Sequence, residues 1–332
     1  MTRNHGAGRR PAGGTGGWKA SLAAVLKAHN GARHDGAVAS FATQDKRADV
    51  LYAGFARLRE LNFRVEAVTS LRGKHIEVLA KDWEARGLSA STLQNNLSIF
   101  RTFTEWIGKA GMVRGIEHYL GSGTAARSSI AREDKSWSGR GVDIAAKIEQ
   151  VRQKDAQVAL QLELQRAFGL RAREAMQLRP HLADKGAYLS ITHGTKGGRD
   201  RVELIRTAEQ RALLEQAKTF CATRSSSTSD PYRKLSQWKN HYYLVVRSCG
   251  ITRNDGFTSH GLRHQYAQER YQELTGVDSP VRGGAQIDRE SDHAARQVIA
   301  EELGHSREGI TSHYLGRRAG GPHTRLGPLG IR

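Results

Sequence analysis

The stretch "EELGHSREGITSHYLGRR" occupies residues 301–318. An apolar helical pattern closes there on Leu303-Gly304-His305, and Tyr314 follows nine residues after His305, between His313 and Leu315. A tyrosine so placed can be a packed ring, a ring that stacks on a nucleic-acid base, or a nucleophile. The stretch alone does not choose among these, so the decision falls to the rest of the chain.

The chain has 332 residues, enough for two separate cores at about 100–200 residues per domain. Its apolar content of 38% and aromatic content of 7% fit ordinary globular folding. No segment approaches the roughly 18 apolar residues of a membrane span. The opening "MTRNHGAGRRPAGGTGG" lacks the apolar centre of a secretory signal. Cys221 and Cys249 are the only cysteines and form no C-x-x-C spacing, which points to a reducing cytoplasm with neither a disulfide framework nor a structural zinc site. Lys and Arg number 52 against 33 Asp and Glu, a formal charge of +19. Such an excess predicts a polyanionic partner, nucleic acid first, over a merely basic solvated surface. Charge does not separate DNA from RNA, or an enzyme from a passive binder.

Residues 1–17 are rich in Gly and Arg without hydrophobic periodicity and read as a flexible basic arm. Helical patterns fill residues 18–120. In "DVLYAGFARLRELNF", Leu51, Phe55, Leu58 and Leu61 share one helical face, and Ile76, Leu79 and Trp83 repeat the pattern before Gly87, a predicted stop. In "STLQNNLSIFRTFTEWIGKAG", Ser91 and Gln94 fit a capping box, Leu93, Leu97, Phe100, Phe103 and Ile107 form the inner stripe, and Gly111 lies past the end. The opposite face carries Asn95, Asn96, Arg101 and Thr102, types that suit DNA grooves and phosphates or simply solvent. Residues 121–141 are Ser/Gly/Arg-rich and aperiodic, hence a predicted linker. Residues 142–318 alternate helical patterns with one predicted β-hairpin in "AYLSITHGTKGGRDRVELI". A Gly/Pro-rich tail, 319–332, ends the chain. The expected fold class is mainly α with a small β-sheet.

Four local patterns lie in the second unit. In "FGLRAREAMQL", Arg171 and Glu174 stand on one helical face, which by itself describes an ordinary salt bridge. Lys196 sits at the predicted hairpin tip, with Arg199 and Arg201 beside it as candidate DNA contacts. In "SHGLRHQYAQER", His260 and Arg263 are three apart at a helix start, where Ser259 is a candidate N-cap and the helix end favours an anion. His305 and Tyr314 make the fourth.

Taken in order, "GLRxxE", a Lys-bearing hairpin, "HxLRH" and "LGHS" with its later Tyr resemble the tyrosine recombinase (phage integrase) family of site-specific DNA recombinases. The resemblance covers about residues 155–316, and "SASTLQNNLSIFRTFTEWIGKAG" looks like the last part of that family's helical, SAM-like core-binding domain. It implies an α+β catalytic domain at 142–318 and the catalytic set Tyr314, Arg171, Lys196, His260, Arg263 and His305, with Glu174 in support. The residue types suit the chemistry. Planar, always-charged arginines can grip the non-bridging oxygens of a phosphodiester. A tyrosine hydroxyl, ordinarily acidic only near pH 10, needs cations nearby to attack. Lys196 suits protonation of the leaving 5′ oxygen. By resemblance, His260 assists proton transfer and His305 hydrogen-bonds the phosphate. The implied product is a 3′-phosphotyrosyl link, made and reversed with no cofactor, metal or ATP.

The resemblance further implies double-stranded DNA sites as partners, a homotetramer on two of them, and room for an accessory or directionality factor. The expected location is the cytoplasm, with the nucleoid. From Arg263 to His305 the chain runs 42 residues, longer than compact members leave, so residues 272–295 read as an insertion. The short tail predicts little or no C-terminal docking helix. Integration or excision of a mobile element is the leading reading, with a Xer-like chromosome or plasmid dimer resolvase as its rival. A catalytically silent DNA-binding protein, a type IB topoisomerase and an RNA-binding protein are the readings from other classes.

Overall fold

Helix α4, Ala90–Trp106, shows how the first part of the chain folds. Leu93, Leu97, Phe100 and Phe103 are buried at helical spacing, and burying such side chains contributes roughly 1.5–3 kcal/mol each. The helix begins before the predicted box: Ser89 is the N-cap, its Oγ accepting the Thr92 N–H at 3.3 Å. It also stops earlier, at Trp106, so that Gly108, at φ +72°, and not Gly111 lies just past its end. The computed structural model describes residues 17–32, 36, 38–121, 130–195 and 198–317. The chain divides into two compact units between residues 127 and 128.

The first unit joins α4 to α1 (Gly17–His29), α2 (Phe41–Glu60), α3 (Gly73–Ala85) and α5 (Ile116–Leu120). Its core is apolar and aromatic. Phe55 meets Phe103 edge-on at 5.6 Å, Trp83 lies 5.9 Å from Phe100, and Leu22, Leu51, Leu58 and Leu79 fill the space between. Gly87 ends α3 as predicted, at φ +71°. Of the predicted arm, residues 1–16 lie outside the described residues, and Gly17 already starts a helix.

The second unit holds α6 (Ile144–Arg152), α7 (Ala156–Ala167), α8 (Ala172–Gln177), α9 (Pro180–Ala183), strands β1 (Tyr188–Ile191) and β2 (Arg201–Leu204), then α10 (Ala208–Thr219), α11 (Leu235–Ser248), α12 (Gly261–Thr275), α13 (Arg289–Glu302) and α14 (Ser312–Leu315). The strands pair antiparallel from Tyr188↔Leu204 to Ile191↔Arg201, the predicted hairpin. The period-two alternation of a strand turns Leu189 and Ile191 of β1, and Arg201 and Glu203 of β2, inward.

The predicted linker needs correcting. Residues 122–129 lie outside the described residues, but residues 130–141 fold with the second unit. The Trp137 ring is fully buried and its indole N–H donates to the Thr258 carbonyl at 2.8 Å. A Ser/Gly/Arg-rich composition hid one large anchor. The predicted insertion, residues 272–295, forms the end of α12, the crossing over residues 276–288 and the start of α13, with Ser279 fully buried. Residues 318–332 lie outside the described residues. No helix among the described residues is long and apolar enough to cross a membrane.

Candidate active site

Helix α8 begins immediately after Arg171, whose backbone N–H donates to Glu174 Oε2 at 2.7 Å while its Nη1 donates to Glu174 Oε1 at 2.6 Å. Glu174 thus terminates the helix backbone and pins the guanidinium with one carboxylate. It is fully buried and also meets Arg201 Nη2 at 3.0 Å and Arg263 Nη1 at 3.9 Å. Burial alone would raise the Glu174 carboxyl, but Arg201, Arg171 and Arg263 outweigh it and hold it below the usual carboxylate value.

Arg263, on the first turn of α12, lies in the interior. Its Nη1 donates to the Gly169 carbonyl, its Nη2 to the Leu303 carbonyl, and its Nε to the Tyr314 hydroxyl at 3.2 Å. Burial, helped by Arg171 and Arg201, pushes this guanidinium down to about 10, so it remains charged at neutral pH. Arg171, which also donates to the Leu303 carbonyl at 3.3 Å, keeps more of its side chain open to solvent. Of the two predicted phosphate-gripping arginines, Arg171 is therefore the accessible one, and Arg263 faces inward.

The turn after α13 delivers His305. The His305 N–H returns to the Ala300 carbonyl at 2.8 Å and Gly304 takes φ +63°, a left-handed helix end. A side chain at Gly304 would stand 2.7 Å from Arg201 Cδ, so the glycine serves both the turn and the close approach of that arginine. His305 Nε2 lies 3.4 Å from the Tyr314 hydroxyl and 3.4 Å from Arg263 Nη2. Tyr314 is buried, and the His264 ring lies 4.7 Å from its own, closer than the His260 ring at 6.3 Å. His260 precedes α12 with its outer edge exposed. Desolvation of the ring first, then Arg263 and Arg171, disfavour its charged form, so it stands neutral at pH 7. Ser259 is buried and does not cap the helix.

The fold therefore brings Arg171, Glu174, His260, Arg263, His305 and Tyr314 together, although 143 residues separate the first from the last. Lys196, between β1 and β2 in the sequence, lies outside the described residues. Sequence reasoning missed one member and misplaced another. His264 stood in "HGLRHQ" without a role, and its low value of about 3 follows from burial first and His260 second. Arg201, predicted to contact DNA, is instead an interior ion pair: besides Glu174 it reaches the Glu302 carbonyl and stands 3.6 Å from Glu203. Strand alternation held the signal, since β2 places residues 201 and 203 inward together. Arg199 is exposed.

Behind Arg201 the charges continue. The Tyr266 hydroxyl donates to Glu203 and meets Glu302 Oε2 at 2.8 Å, while Arg206 and Arg270 flank them at 3.0 Å and 3.1 Å. Burial first, then the neighbouring Glu302, raises the Glu203 carboxyl to about 7.

In the first unit, the predicted DNA face of α4 divides. Asn95 is exposed, whereas Asn96 is buried beside Leu93 and Phe100, because it follows Leu93 by three residues and so shares the inner face. Arg101 donates to the carbonyls of Val113 (3.3 Å) and Arg114 (3.0 Å), bracing the following loop, and Thr102 Oγ1 returns to the Ser98 carbonyl at 3.2 Å.

A profile described as phage integrase, N-terminal, matches residues 21–113, and one described as integrase matches residues 130–269. Together they take in more than two thirds of the chain. Among solved structures, a dimer of lambda integrase residues 75–356 bound to a COC′ core site shares 16% identity over 95% of this chain and 100% of that one, with a TM-score of 0.57. A lambda integrase tetramer bound to a Holliday junction shares 16% over 92% of this chain and 80% of that one, at 0.56. The XerH site-specific recombinase bound to palindromic difH substrate, a post-cleavage complex, shares 15% over 82% and 75%, at 0.50. Identities this low speak for a common fold. No curated protein sequence matches the chain. With a helical core-binding unit, a catalytic unit carrying a two-stranded sheet, and both profiles in order, this chain belongs to the tyrosine recombinase, or phage integrase, family.

Proposed function

We propose that this recombinase cuts and rejoins double-stranded DNA at specific sites through Tyr314, as the integrase of a mobile element. The observation that carries the reading is the Tyr314 hydroxyl itself, which takes a hydrogen bond from buried Arg263 and lies beside His305. Packing alone has no use for a tyrosine hydroxyl aimed at a buried guanidinium. Support for the mobile element comes from the profiles, both of integrases.

In the proposed reaction the Tyr314 oxygen attacks phosphorus, the bond from phosphorus to the 5′ oxygen breaks, and that oxygen takes a proton from Lys196. The phenolic proton leaves through His260, whose neutral state at pH 7 makes it an acceptor. Arg171 meets the non-bridging oxygens from the open side while Arg263 and His305 hold the nucleophile. Pre-aimed donors of this kind contribute about 3–4 kcal/mol each to a transition state. The phosphotyrosyl link retains the energy of the broken bond, so attack by a 5′-hydroxyl of a second duplex rejoins the strand without a nucleotide. Four copies on two sites would perform the exchange. Asn95 and Arg199, both exposed, are the DNA contacts we retain outside the catalytic set.

The test uses a pool of nicked duplexes with randomised sequence around the nick, so that the cut fragment is lost and the adduct accumulates. On a denaturing gel, wild-type protein should show a covalent protein–DNA band, and Tyr314→Phe none. An adduct that survives Tyr314→Phe, or no wild-type adduct from the pool, overturns the proposal.

A further inference from the structure

The four residues of α14 are too few to hold a helix by themselves. What fixes them comes from two distant parts of the second unit. On one side, the crossing segment between α12 and α13 reaches under the turn. The Ser279 hydroxyl, fully buried, bonds Gln268 Oε1, and Gln268 Nε2 donates to the Tyr314 carbonyl at 2.7 Å. Val281 lies so close to Gly316 that a Cβ on the glycine would stand 2.9 Å from it, and Arg296 Nη1 donates to the Gly316 carbonyl at 3.2 Å. On the other side, the strap at 130–138 adds a backbone bond, Ala131 N–H to the Ser312 carbonyl, at 2.8 Å.

One ion pair closes the two sides on each other. Arg282 Nε donates to Asp134 Oδ2 at 2.7 Å, and its Nη2 donates to Ser136 Oγ at 3.0 Å and Ser138 Oγ at 2.8 Å. Asp134 is itself held, accepting the Ser136 N–H at 2.8 Å. Both side chains are largely buried, and removing one partner leaves the other charge desolvated and the crossing segment untied.

We infer that Arg282 and Asp134 are positioning residues that fix the Tyr314 hydroxyl for attack, by closing the 276–284 segment against the 130–138 strap around the nucleophile's turn. The inference rests on the reading of Tyr314 as nucleophile. It gives the predicted insertion a use: the added length supplies Ser279, Val281 and Arg282, the contacts that a bare link between α12 and α13 would lack. The energetic leverage is geometric, because displacing a reacting atom by about 1 Å can cost about a hundredfold in rate.

The experiment compares wild type, Arg282→Ala, Arg282→Lys and Ser279→Ala on the nicked pool under single-turnover conditions, with melting temperature and DNA affinity measured beside them. Arg282→Ala should form adduct at least about tenfold more slowly with DNA affinity unchanged within about twofold. Arg282→Lys, which keeps the Asp134 pair but loses the fork to the serines, should fall between. Ser279→Ala, nearly isosteric, should slow adduct formation while lowering the melting temperature less than Arg282→Ala does, because it leaves only the neutral Gln268 Oε1 without its donor. The defect should persist on duplexes with sulfur in place of the bridging 5′ oxygen, where the leaving group needs no proton. A defect of Lys196→Ala should disappear there. Amide exchange over residues 310–317 should quicken about tenfold in Arg282→Ala whatever the cleavage result. Wild-type cleavage rates in Arg282→Ala and Ser279→Ala, or unchanged exchange in that segment, overturn the inference. A missing wild-type adduct sinks the proposed function alone, since the exchange result still decides the clamp.

Discussion

The interiors of the two units are built on opposite terms. The first is held by rings and branched chains: Phe55, Phe100, Phe103, Trp83 and four leucines meet with no ion pair among them. The second buries Glu174, Arg201, Glu203 and Arg263, and with them Arg270, Arg296, Asp292 and Glu302. Buried ion pairs seldom raise stability above what a well-packed apolar core would provide, since desolvation offsets much of their attraction. Among the described residues the buried ion pairs lie in the second unit, where Glu174 joins three guanidiniums and one of them, Arg263, reaches the Tyr314 hydroxyl.

The comparison breaks most sharply at Glu174. Glu174→Gln removes a carboxylate shared by three guanidiniums, so denaturant titration should show a loss of about 3–5 kcal/mol. Adduct formation should fall with it, by about a hundredfold, and a variant that melts and cuts like wild type would show that the charges are not interdependent. Phe100→Ala is the matching change in the first unit. It empties the space against Gly54 and Trp83 and should cost about 3–4 kcal/mol by the same titration. It should leave the pH dependence of unfolding unaltered, because no titrating group is touched. The smallest effect is at Glu203. Its carboxyl is raised from its ordinary 4.5 to about 7, so the folded state binds this proton more tightly than the unfolded one. The resulting stabilisation is complete below pH 4.5 and is withdrawn as pH climbs to about 7. Glu203→Gln should therefore gain stability relative to wild type between pH 5 and pH 8, by the order of 1–3 kcal/mol. A flat difference would show that the folded protein keeps Glu203 no more protonated than the unfolded chain does.

Local rules made much of the molecule legible. The spacing of Leu51, Phe55 and Leu58 marked the face of α2, and the hairpin announced itself through strand residues on either side of a glycine-bearing turn. Where the reading slipped, the cause lay beyond one element. Asn96 was placed outside because its amide is polar, yet its position on the helix puts it with Leu93. Arg201 was placed on DNA because the chain is basic, yet β2 turns it toward Glu174. Residues 130–141 looked like a linker because composition cannot register a tryptophan's partner 121 positions away.

By itself, the sequence determined the family, the order of its motifs and most of the residues that meet at Tyr314, though not His264. These rest on residue type and short spacing, which chemistry and helical geometry constrain locally. Only the tertiary structure decided which arginine stays accessible, which carboxylate unites the others, and what holds the turn that carries Tyr314. Arg263 and Tyr314, or Asp134 and Arg282, become neighbours only when segments far apart in the chain pack. That packing selects partners by desolvation and shape, for which no spacing in the sequence stands as a sign.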